Sequence, residues 1–150
     1  MQQTLLLIKP DGVQRRLVGE IIGRFERKGL RLAGLKLVQA SKALAEKHYA
    51  VHKGKPFYES LLQFLTGGPT VAMVWEGREA VAVARTLIGA TDGTKAPPAT
   101  IRGDFALSVQ NNLVHGSDSP ENAAAEVALW FKPDELVRYQ PVDNAWIAGS

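Results

Sequence analysis

Thr4–Gln39 reads TLLLIKPDGVQRRLVGEIIGRFERKGLRLAGLKLVQ, and this stretch decides the fold because it contains a strand, a helix and a second strand in series. The apolar run Thr4–Lys9 predicts a short buried strand, and Pro10-Asp11-Gly12 predicts a turn directly after it. Apolar residues then recur every fourth position from Leu17 to Phe25, which is typical of an amphipathic helix. We therefore expect Lys9 at the end of a strand and a helix packed on the sheet.

The second strand of this unit is predicted over Leu30–Gln39. Gly29 precedes it and is suited to the C-terminal cap of the helix. The apolar phase of the strand changes around Gly34, a position where a β-bulge is expected.

Downstream, two helices precede a further strand, helix and strand. Ser41 is a good N-terminal cap, and Gly67-Gly68 ends the helical pair, which we expect to form a hairpin. The predicted elements are helices from Ser41 through Tyr49 and over Phe57–Thr66, a strand over Thr70–Trp75, a turn at Glu76-Gly77, a helix over Ala80–Ile88, a strand ending at His115, and a helix over Ser119–Phe131.

Residues from Ala90 to about Ile101 do not fit an ordinary connection. This stretch is long and contains Ala96-Pro-Pro-Ala99, so it predicts a functional surface loop that delivers Arg102. With this loop and the helical hairpin set aside, the order is β-α-β followed by β-α-β. Two such units predict an α/β (α+β) domain of the ferredoxin-like βαββαβ plan, with a four-stranded antiparallel sheet covered by helices on one face.

Length and composition limit the class of protein. A chain of 150 residues fits one domain with a sizeable core. It contains no cysteine, which excludes disulfide scaffolds, thiolate nucleophiles and cysteine-bound zinc. No segment approaches the ~18 apolar residues of a membrane span, so a cytoplasmic protein without a membrane segment is expected. The net charge is +3, and basic residues cluster modestly at Arg24–Lys36 and Lys47–Lys55. No run of five or more like charges occurs, so a solvated mixed surface is the preferred interpretation of these clusters.

His115 is the first candidate for chemistry, because it precedes Gly116-Ser-Asp-Ser119 at a predicted helix start. Ser119 can cap that helix, Pro120 suits its first position, and the free N–H groups there favour an anion such as phosphate. Glu126 lies on the same helix and can hydrogen-bond the imidazole and fix its tautomer. From this motif alone, a histidine that only ends a strand remains a possible interpretation.

Three cations from distant parts of the chain can converge on this imidazole. Lys9 ends a strand, Arg85 lies near the end of a helix facing outward, and Arg102 follows the long loop. Such a set suits a polyphosphate, because charge-assisted hydrogen bonds to phosphate oxygens contribute about 1.5–3 kcal/mol each. Taken singly, each cation is equally compatible with a weak surface ion pair.

Eight motifs follow one another in order along nearly the whole chain. They are Ile8-Lys-Pro-Asp-Gly-Val-Gln-Arg15, Leu17-Val-Gly-Glu-Ile21, His48-Tyr49, Lys55-Pro-Phe57, Gly68-Pro69, Val71-Ala-Met-Val-Trp-Glu-Gly77, Thr100-Ile-Arg-Gly-Asp-Phe105 and Asn112-Leu-Val-His-Gly-Ser-Asp-Ser119. Together these motifs resemble the nucleoside diphosphate kinase family. The resemblance implies one nucleoside diphosphate kinase domain over residues 1–150. It also implies a ping-pong reaction in which the γ-phosphoryl group of a nucleoside triphosphate, typically ATP, passes to His115 and then to a nucleoside diphosphate.

The resemblance further assigns roles by position. His115 is the nucleophile, and which of its ring nitrogens takes the phosphoryl group is left open. Phosphates and sugar are held by Lys9, Arg85, Thr91, Arg102 and Asn112, the base stacks on Phe57, and Tyr49, Ser117 and Glu126 support the histidine. Without the resemblance, Phe57 and Tyr49 would be taken as core residues. His48 and His52 are expected only to pack or to lie on the surface.

Magnesium is implied as a cofactor that bridges phosphate oxygens with few or no direct protein ligands, and Asp118 is a candidate for contact through water. The resemblance also implies a homo-oligomer, with a hexamer favoured over a tetramer. Arg16, Asn111 and Ala99 depart from the commonest family pattern, in which Gly, Arg and Gly are frequent at these positions.

Two alternatives from other classes are compatible with parts of the sequence. A basic nucleic-acid-binding module would use the positive surface and would bind in a strongly salt-dependent manner, although no nucleic-acid-binding signature is present. A catalytically silent scaffold relative would keep the fold and lose the site, yet the candidate set around His115 is intact. A phosphate-loop kinase is excluded, because no Gly-x4-Gly-Lys-Ser/Thr motif occurs.

Overall fold

The computed structural model describes residues 1–149, which form a four-stranded sheet with helices packed on it. Short 3-10 turns at Ala50–His52 and Pro133–Glu135 interrupt the loops. The elements are β1 (Gln2–Ile8), α1 (Pro10–Gln14), α2 (Val18–Lys28), β2 (Arg31–Val38), α3 (Lys42–His48), α4 (Tyr58–Thr66), β3 (Thr70–Gly77), α5 (Ala80–Ile88), α6 (Ile101–Phe105), β4 (Val114–Gly116), α7 (Pro120–Trp130) and α8 (Asn144–Ile147).

The strands lie in the order β2-β3-β1-β4, and every neighbouring pair is antiparallel. This is the predicted ferredoxin-like arrangement, because the two β-α-β units interleave so that β1 and β3 become the central strands. The inserted hairpin of α3 and α4 and the long loop after α5 lie where the sequence predicts them. The fold class is therefore confirmed.

Helices cover both faces of the sheet, so the expectation of a single covered face was wrong. Alternate residues of a strand point to opposite faces. Leu5 and Leu7 of β1 pack in one core with α3, α4 and α7, whereas Leu6 and Ile8 pack in a second core with α2, α5 and α6. All four of these leucine and isoleucine side chains are fully buried. The continuous apolar run of β1, without polar alternation, is the sequence signal of a strand buried on both sides.

The first β-α-β unit follows the predicted pattern closely. Gly29 ends α2 in the left-handed conformation, with φ of 105°, and this backbone region favours glycine. In β2 the register shifts between Leu32 and Gly34, so that Ala33 is the extra residue of the predicted bulge. A Cβ atom on Gly34 would lie 2.9 Å from Leu136 and 3.0 Å from Phe131, so the glycine also admits the C-terminal segment against the strand.

Several boundaries differ from those predicted. Pro10–Gln14 forms a short helix rather than a turn, because proline is accepted at the first helical position. Glu76 and Gly77 continue β3 rather than turning the chain, since they pair with the start of β1. β4 has only three residues, and His115 is the middle one rather than the last. The segment Ile101–Phe105 is a helix, capped by the Thr100 hydroxyl, which accepts from the Gly103 amide at 2.9 Å.

Over residues 1–149, no helix is both long enough and apolar enough to span a bilayer.

Candidate active site

The antiparallel pairing of β1 with β4 brings Lys9 and His115 together, although the two residues are 106 positions apart in the sequence. Leu7 pairs with His115 and Ile8 with Val114, so the end of β1 lies beside β4. Lys9 is the first residue after β1, and its amide donates to the Leu113 carbonyl at 2.8 Å. Both residues are thus fixed by backbone pairing at one end of the sheet.

Glu126 reaches the imidazole of His115 from α7. The Nε2 atom of His115 and the Oε1 atom of Glu126 are 3.0 Å apart, and their side chains are 25% and 20% exposed. The Ser117 hydroxyl donates to the same carboxylate oxygen at 2.6 Å. Burial opposes ionisation of Glu126, but hydrogen bonds from His115 and Ser117 outweigh it and lower the pKa of the carboxyl. The carboxylate therefore accepts at neutral pH, and His115 donates through Nε2–H.

The start of α7 is built as the sequence predicts. The Ser119 hydroxyl accepts from the Asn122 amide at 3.1 Å, and Pro120 occupies the first turn. Glu126 lies further along the same helix, and its side chain points back toward β4. The cap therefore sets the direction from which the carboxylate approaches the imidazole.

All three predicted cations contact the short segment that carries His115. Lys9 donates from Nζ to the Asn112 side-chain oxygen at 2.5 Å, and exposed Arg85 donates to the Gly116 carbonyl at 3.2 Å. Arg102 is buried and donates to the backbone carbonyls of Asn112 at 3.2 Å and Val114 at 2.7 Å. The cations therefore surround residues 112–116 on several sides.

This concentration of positive charge is reflected in the pKa values. Burial lowers the pKa of Lys9 to about 8, while Asp11 opposes that shift and Arg102 adds to it. Burial and the neighbouring Arg85 lower the pKa of Arg102 to about 10, again against the influence of Asp11. Buried cations that are short of negative partners favour the arrival of an anion.

Asn112 and Thr91 link the long loop to this segment. The Asn112 side chain is buried, accepts from Lys9 and donates from Nδ2 to the Thr91 carbonyl at 3.1 Å. Thr91 is itself exposed, which leaves its hydroxyl accessible to a ligand. Asp118 is also exposed, and its Oδ1 accepts from the Asn122 side chain at 2.6 Å.

His48 belongs to the site, which corrects the expectation that it only packs or lies on the surface. Its ring meets the ring of His115 edge to face, with 4.6 Å between centroids. Its Nδ1 accepts from the Trp130 indole N–H at 3.2 Å. Burial, and then the charge of His115, lower its pKa to about 3, so the imidazole is neutral at physiological pH. Sequence spacing gives no sign of this contact, because His48 lies at the end of a short helix and 67 residues before His115.

A row of rings connects His115 to Phe57. Tyr49 lies 4.7 Å from His48, His52 lies 6.3 Å from Tyr49, and Phe57 lies 5.3 Å from His52. Burial, helped by Glu126, raises the pKa of Tyr49 to about 12, so its hydroxyl stays protonated. Phe57 ends the row at 46% exposure, and Lys55 Nζ lies over its ring at 5.7 Å from the centroid.

Among residues 1–149, one cluster offers three potential metal-ligating side chains, namely His48, His115 and Glu126, with their ligand atoms within 4.8 Å of one another. Two imidazoles and one carboxylate suit a transition metal better than Mg²⁺, which prefers oxygen ligands and keeps several waters. The donor set here does not form a protein cage for magnesium. A magnesium ion at this site would need oxygen ligands from a bound molecule rather than from the protein.

The arrangement as a whole presents an imidazole that is held through one nitrogen, lies among three cations and is connected by a row of rings to the exposed ring of Phe57. Those parts fit a phosphorylated ligand with a planar group, and the imidazole can act on a phosphoryl group. The predicted residues His115, Lys9, Arg85, Thr91, Arg102, Asn112, Tyr49, Ser117 and Glu126 lie together, and Phe57 joins them through the row of rings.

Comparison with known proteins identifies the class. The family model described as nucleoside diphosphate kinase matches residues 2–136. A nucleoside diphosphate kinase of Carboxydothermus hydrogenoformans is 58% identical over 147 residues, covering 98% of this chain and 99% of that protein. One from Thermosynechococcus vestitus is also 58% identical over 147 residues, covering 98% of each chain. The chain belongs to the nucleoside diphosphate kinase family.

Solved structures agree with this assignment. A nucleoside diphosphate kinase family protein from Babesia bovis has a TM-score of 0.96 at 45% identity, covering 98% of this chain and 99% of that chain. The halophilic nucleoside diphosphate kinase of Halobacterium salinarum, solved in complex with CDP, has a TM-score of 0.95 at 46% identity, covering 97% of each chain. The fold and the family are thus established by independent comparisons.

Proposed function

We propose that this chain is a nucleoside diphosphate kinase that passes the γ-phosphoryl group of a nucleoside triphosphate to a nucleoside diphosphate through a phosphohistidine at His115. The observation that carries the proposal is the hydrogen bond between Nε2 of His115 and Glu126. It commits the proton to Nε2 and leaves Nδ1 with a lone pair for attack. Nδ1 is therefore the nitrogen that takes the phosphoryl group.

The two half-reactions use the same groups in opposite directions. The Nδ1 lone pair attacks the γ-phosphorus, the bond from that phosphorus to the bridging oxygen breaks, and the nucleoside diphosphate leaves with the electron pair. A terminal oxygen of a second nucleoside diphosphate then attacks the phosphorus on His115 and the P–N bond breaks. Since one site serves donor and acceptor in turn, the reaction is ping-pong.

The neighbouring residues bind different parts of the nucleotide or support the histidine. Lys9, Arg85 and Arg102 place positive charge beside the residues 112–116 that carry the histidine, where the phosphates must lie. Charge that develops on the oxygens during transfer is stabilised most by such preorganised donors. Thr91 and Asn112 contact the sugar and phosphates, and Phe57 stacks on the base. Tyr49, Ser117 and Glu126 hold the histidine in position.

A magnesium ion would be held mainly by the phosphate oxygens of the nucleotide and, when bound, would neutralise part of the polyphosphate charge. Exposed Asp118 would be the residue to hold it through water, with no direct protein ligand. The potential ligands His48, His115 and Glu126 offer two imidazoles and only one carboxylate, which supports a site without direct protein ligands to magnesium.

The protein assembles as a homo-oligomer, with a hexamer favoured, and acts as a single catalytic domain in the cytoplasm. Strand β2 is an edge strand whose Leu35 and Leu37 are 51% and 68% exposed, and an apolar edge of this kind favours pairing with another chain. Trp146 and Val142 of the C-terminal segment are also almost fully exposed. Mass measurement in solution tests the assembly, and a tetramer contradicts the hexamer.

Incubation with γ-labelled ATP and magnesium, without acceptor, tests the catalytic proposal. The protein is expected to take up label that is acid-labile and alkali-stable and that transfers to added GDP or CDP. His115→Ala should take up none, whereas His52→Ala should still be labelled, because His52 does not contact Glu126. Failure of the wild-type protein to take up label contradicts the proposal and favours a silent relative.

A further inference from the structure

Asp11 contacts the histidine-bearing segment directly, although neither the fold nor the reaction assigns it a function. Its Oδ2 atom accepts from the Leu113 amide at 3.0 Å. Leu113 is fully buried and has φ of 76°, in the left-handed region that a branched side chain rarely adopts. Its carbonyl accepts from the Lys9 amide at 2.8 Å. Both polar groups of the Leu113 backbone are thus held by residues 9–11.

The conformation of Leu113 matters because its neighbours are the binding and reacting residues. Asn112 precedes it and accepts from Lys9, while Val114 and His115 follow it in β4. A left-handed residue persists only where its surroundings hold it, since this conformation is strained for any residue with a side chain. The Asp11 carboxylate is one of the two groups that hold it.

The second carboxylate oxygen of Asp11 is buried and has no hydrogen-bond partner among residues 1–149. A buried carboxylate oxygen without a partner is unfavourable unless nearby positive charge stabilises it. Lys9 and Arg102 supply that charge, and Asp11 is the acidic residue that acts on both of them. The other groups around the Lys9 ammonium are the Asn112 side chain, the ring of Phe64 at 5.5 Å, and neutral His48.

We propose that Asp11 is a positioning residue that fixes the Asn112–His115 segment through the Leu113 amide and keeps Lys9 charged in the nucleotide-free enzyme. This inference rests on the proposed function, because Lys9 is taken as a phosphate-binding group.

The charge role is tested by the pH dependence of binding of ADP with magnesium. Binding by the wild-type protein should weaken as pH rises through about 8, because the ammonium of Lys9 is lost in that range. In Asp11→Asn the amide can still accept from Leu113 but carries no charge, so the weakening should begin about one pH unit lower. Asp11→Glu restores the charge and should return the onset toward the wild-type value.

Asp134→Asn is the matched control, because it removes an exposed carboxylate far from Lys9 in the C-terminal 3-10 turn. In Asp134→Asn, binding should begin to weaken at the same pH as in the wild-type protein. If binding by Asp11→Asn begins to weaken at the wild-type pH, the charge role is overturned. If the pH of weakening in Asp11→Glu is shifted as far as in Asp11→Asn, the charge role is also overturned, because disturbed packing would then explain both shifts.

The positioning role is tested by single-turnover phosphorylation at pH 6.5, where Lys9 is charged in every variant. Asp11→Asn should react within about threefold of the wild type, whereas Asp11→Ala, which loses the acceptor for Leu113, should be slower by about tenfold or more. Equal rates for the two variants overturn the positioning role. Absence of label in the wild-type protein would instead contradict the proposed function, so the two failures are distinguishable.

Discussion

The Nε2 atom of His115 and the Oε1 atom of Glu126 lie 3.0 Å apart, and the same carboxylate oxygen accepts from Ser117 at 2.6 Å. A carboxylate with two donors is held in one orientation, and it passes that orientation to the imidazole. This relationship connects the capped start of α7 to the Nδ1 atom on the opposite side of the ring, which is the nitrogen proposed to react.

Removal of the Glu126 carboxylate should therefore slow phosphorylation of His115. In Glu126→Ala the imidazole loses its Nε2 acceptor, and Nδ1 can carry the proton in a fraction of molecules. We expect the rate of phosphoenzyme formation to fall by about 10²-fold or more, as is usual for a general acid–base or tautomer-fixing group. Rapid-quench measurement of labelled protein provides the rate.

Glu121→Ala is the control for this prediction, since Glu121 lies exposed in the first turn of the same helix. It should phosphorylate at nearly the wild-type rate. Equal slowing of both variants would trace the effect to disruption of α7 rather than to the hydrogen bond.

Ala99→Gly should stabilise the protein. Ala99 has φ of 75°, and this conformation is fixed on both sides, because its carbonyl accepts from Arg24 and its amide donates to Asp104. Glycine relieves about 1–2 kcal/mol of left-handed strain and costs about 0.5–1 kcal/mol of unfolded-chain entropy. The free energy of unfolding should rise by about 0.5–1 kcal/mol in a denaturant titration.

The comparison for Ala99 is Ala125→Gly, an exposed site within α7. There the backbone is helical and glycine should destabilise by about 1 kcal/mol. If both substitutions destabilise to a similar extent, the strain attributed to Ala99 is absent.

Local sequence patterns were enough to predict the fold class and the positions of the main helices and strands. The strand before Lys9 and the helix before Gly29 were predictable because periodicity and capping are properties of neighbouring residues. The convergence of Lys9 and His115 was predictable as well, because each was assigned to the end of a strand, although His115 proves to be the middle residue of β4. The second covered face was missed, although the unbroken apolar run of β1 contains that information.

The contacts of His48 and Asp11 could not be predicted from spacing. His48 reaches His115 because α3 ends one residue before Tyr49 and packs against α7, and no local pattern specifies that packing. Asp11 was predicted to lie in a turn, and no sequence pattern predicted its contact with Leu113. Interactions between side chains of distant elements depend on tertiary geometry rather than on the periodicity of either segment.

His48 should make the folded protein sensitive to acid. Its pKa is about 3 in the folded protein, chiefly because of burial, and about 6.5 in the unfolded chain. Below pH 6.5 the unfolded chain therefore binds a proton that the folded protein rejects, and stability should fall as pH drops from 6.5 toward 3. His48→Asn keeps an acceptor for Trp130 but cannot titrate. Between pH 7 and pH 5, its free energy of unfolding should therefore fall by on the order of 1–2 kcal/mol less than that of the wild type.

Urea titrations of both proteins at several pH values measure this difference. Glu126 has a lowered pKa and also loses stability in acid, but it is present in both proteins and contributes to both curves. Parallel stability curves for the wild type and His48→Asn would contradict the prediction.

Phe57→Ala should weaken binding of every nucleotide to a similar degree. The ring is 46% exposed at the start of α4 and lies 5.3 Å from the His52 ring between centroids. Stacking of a base on an aromatic ring contributes about 1–3 kcal/mol and varies little with the base, so kcat/KM should fall roughly 5- to 150-fold for ATP, GTP, CTP and UTP alike. Glu59→Ala removes an exposed side chain in the first turn of the same helix and should leave kcat/KM unchanged. Loss confined to one nucleotide would instead assign a base-specific contact to this position, and no loss would place the base away from Phe57.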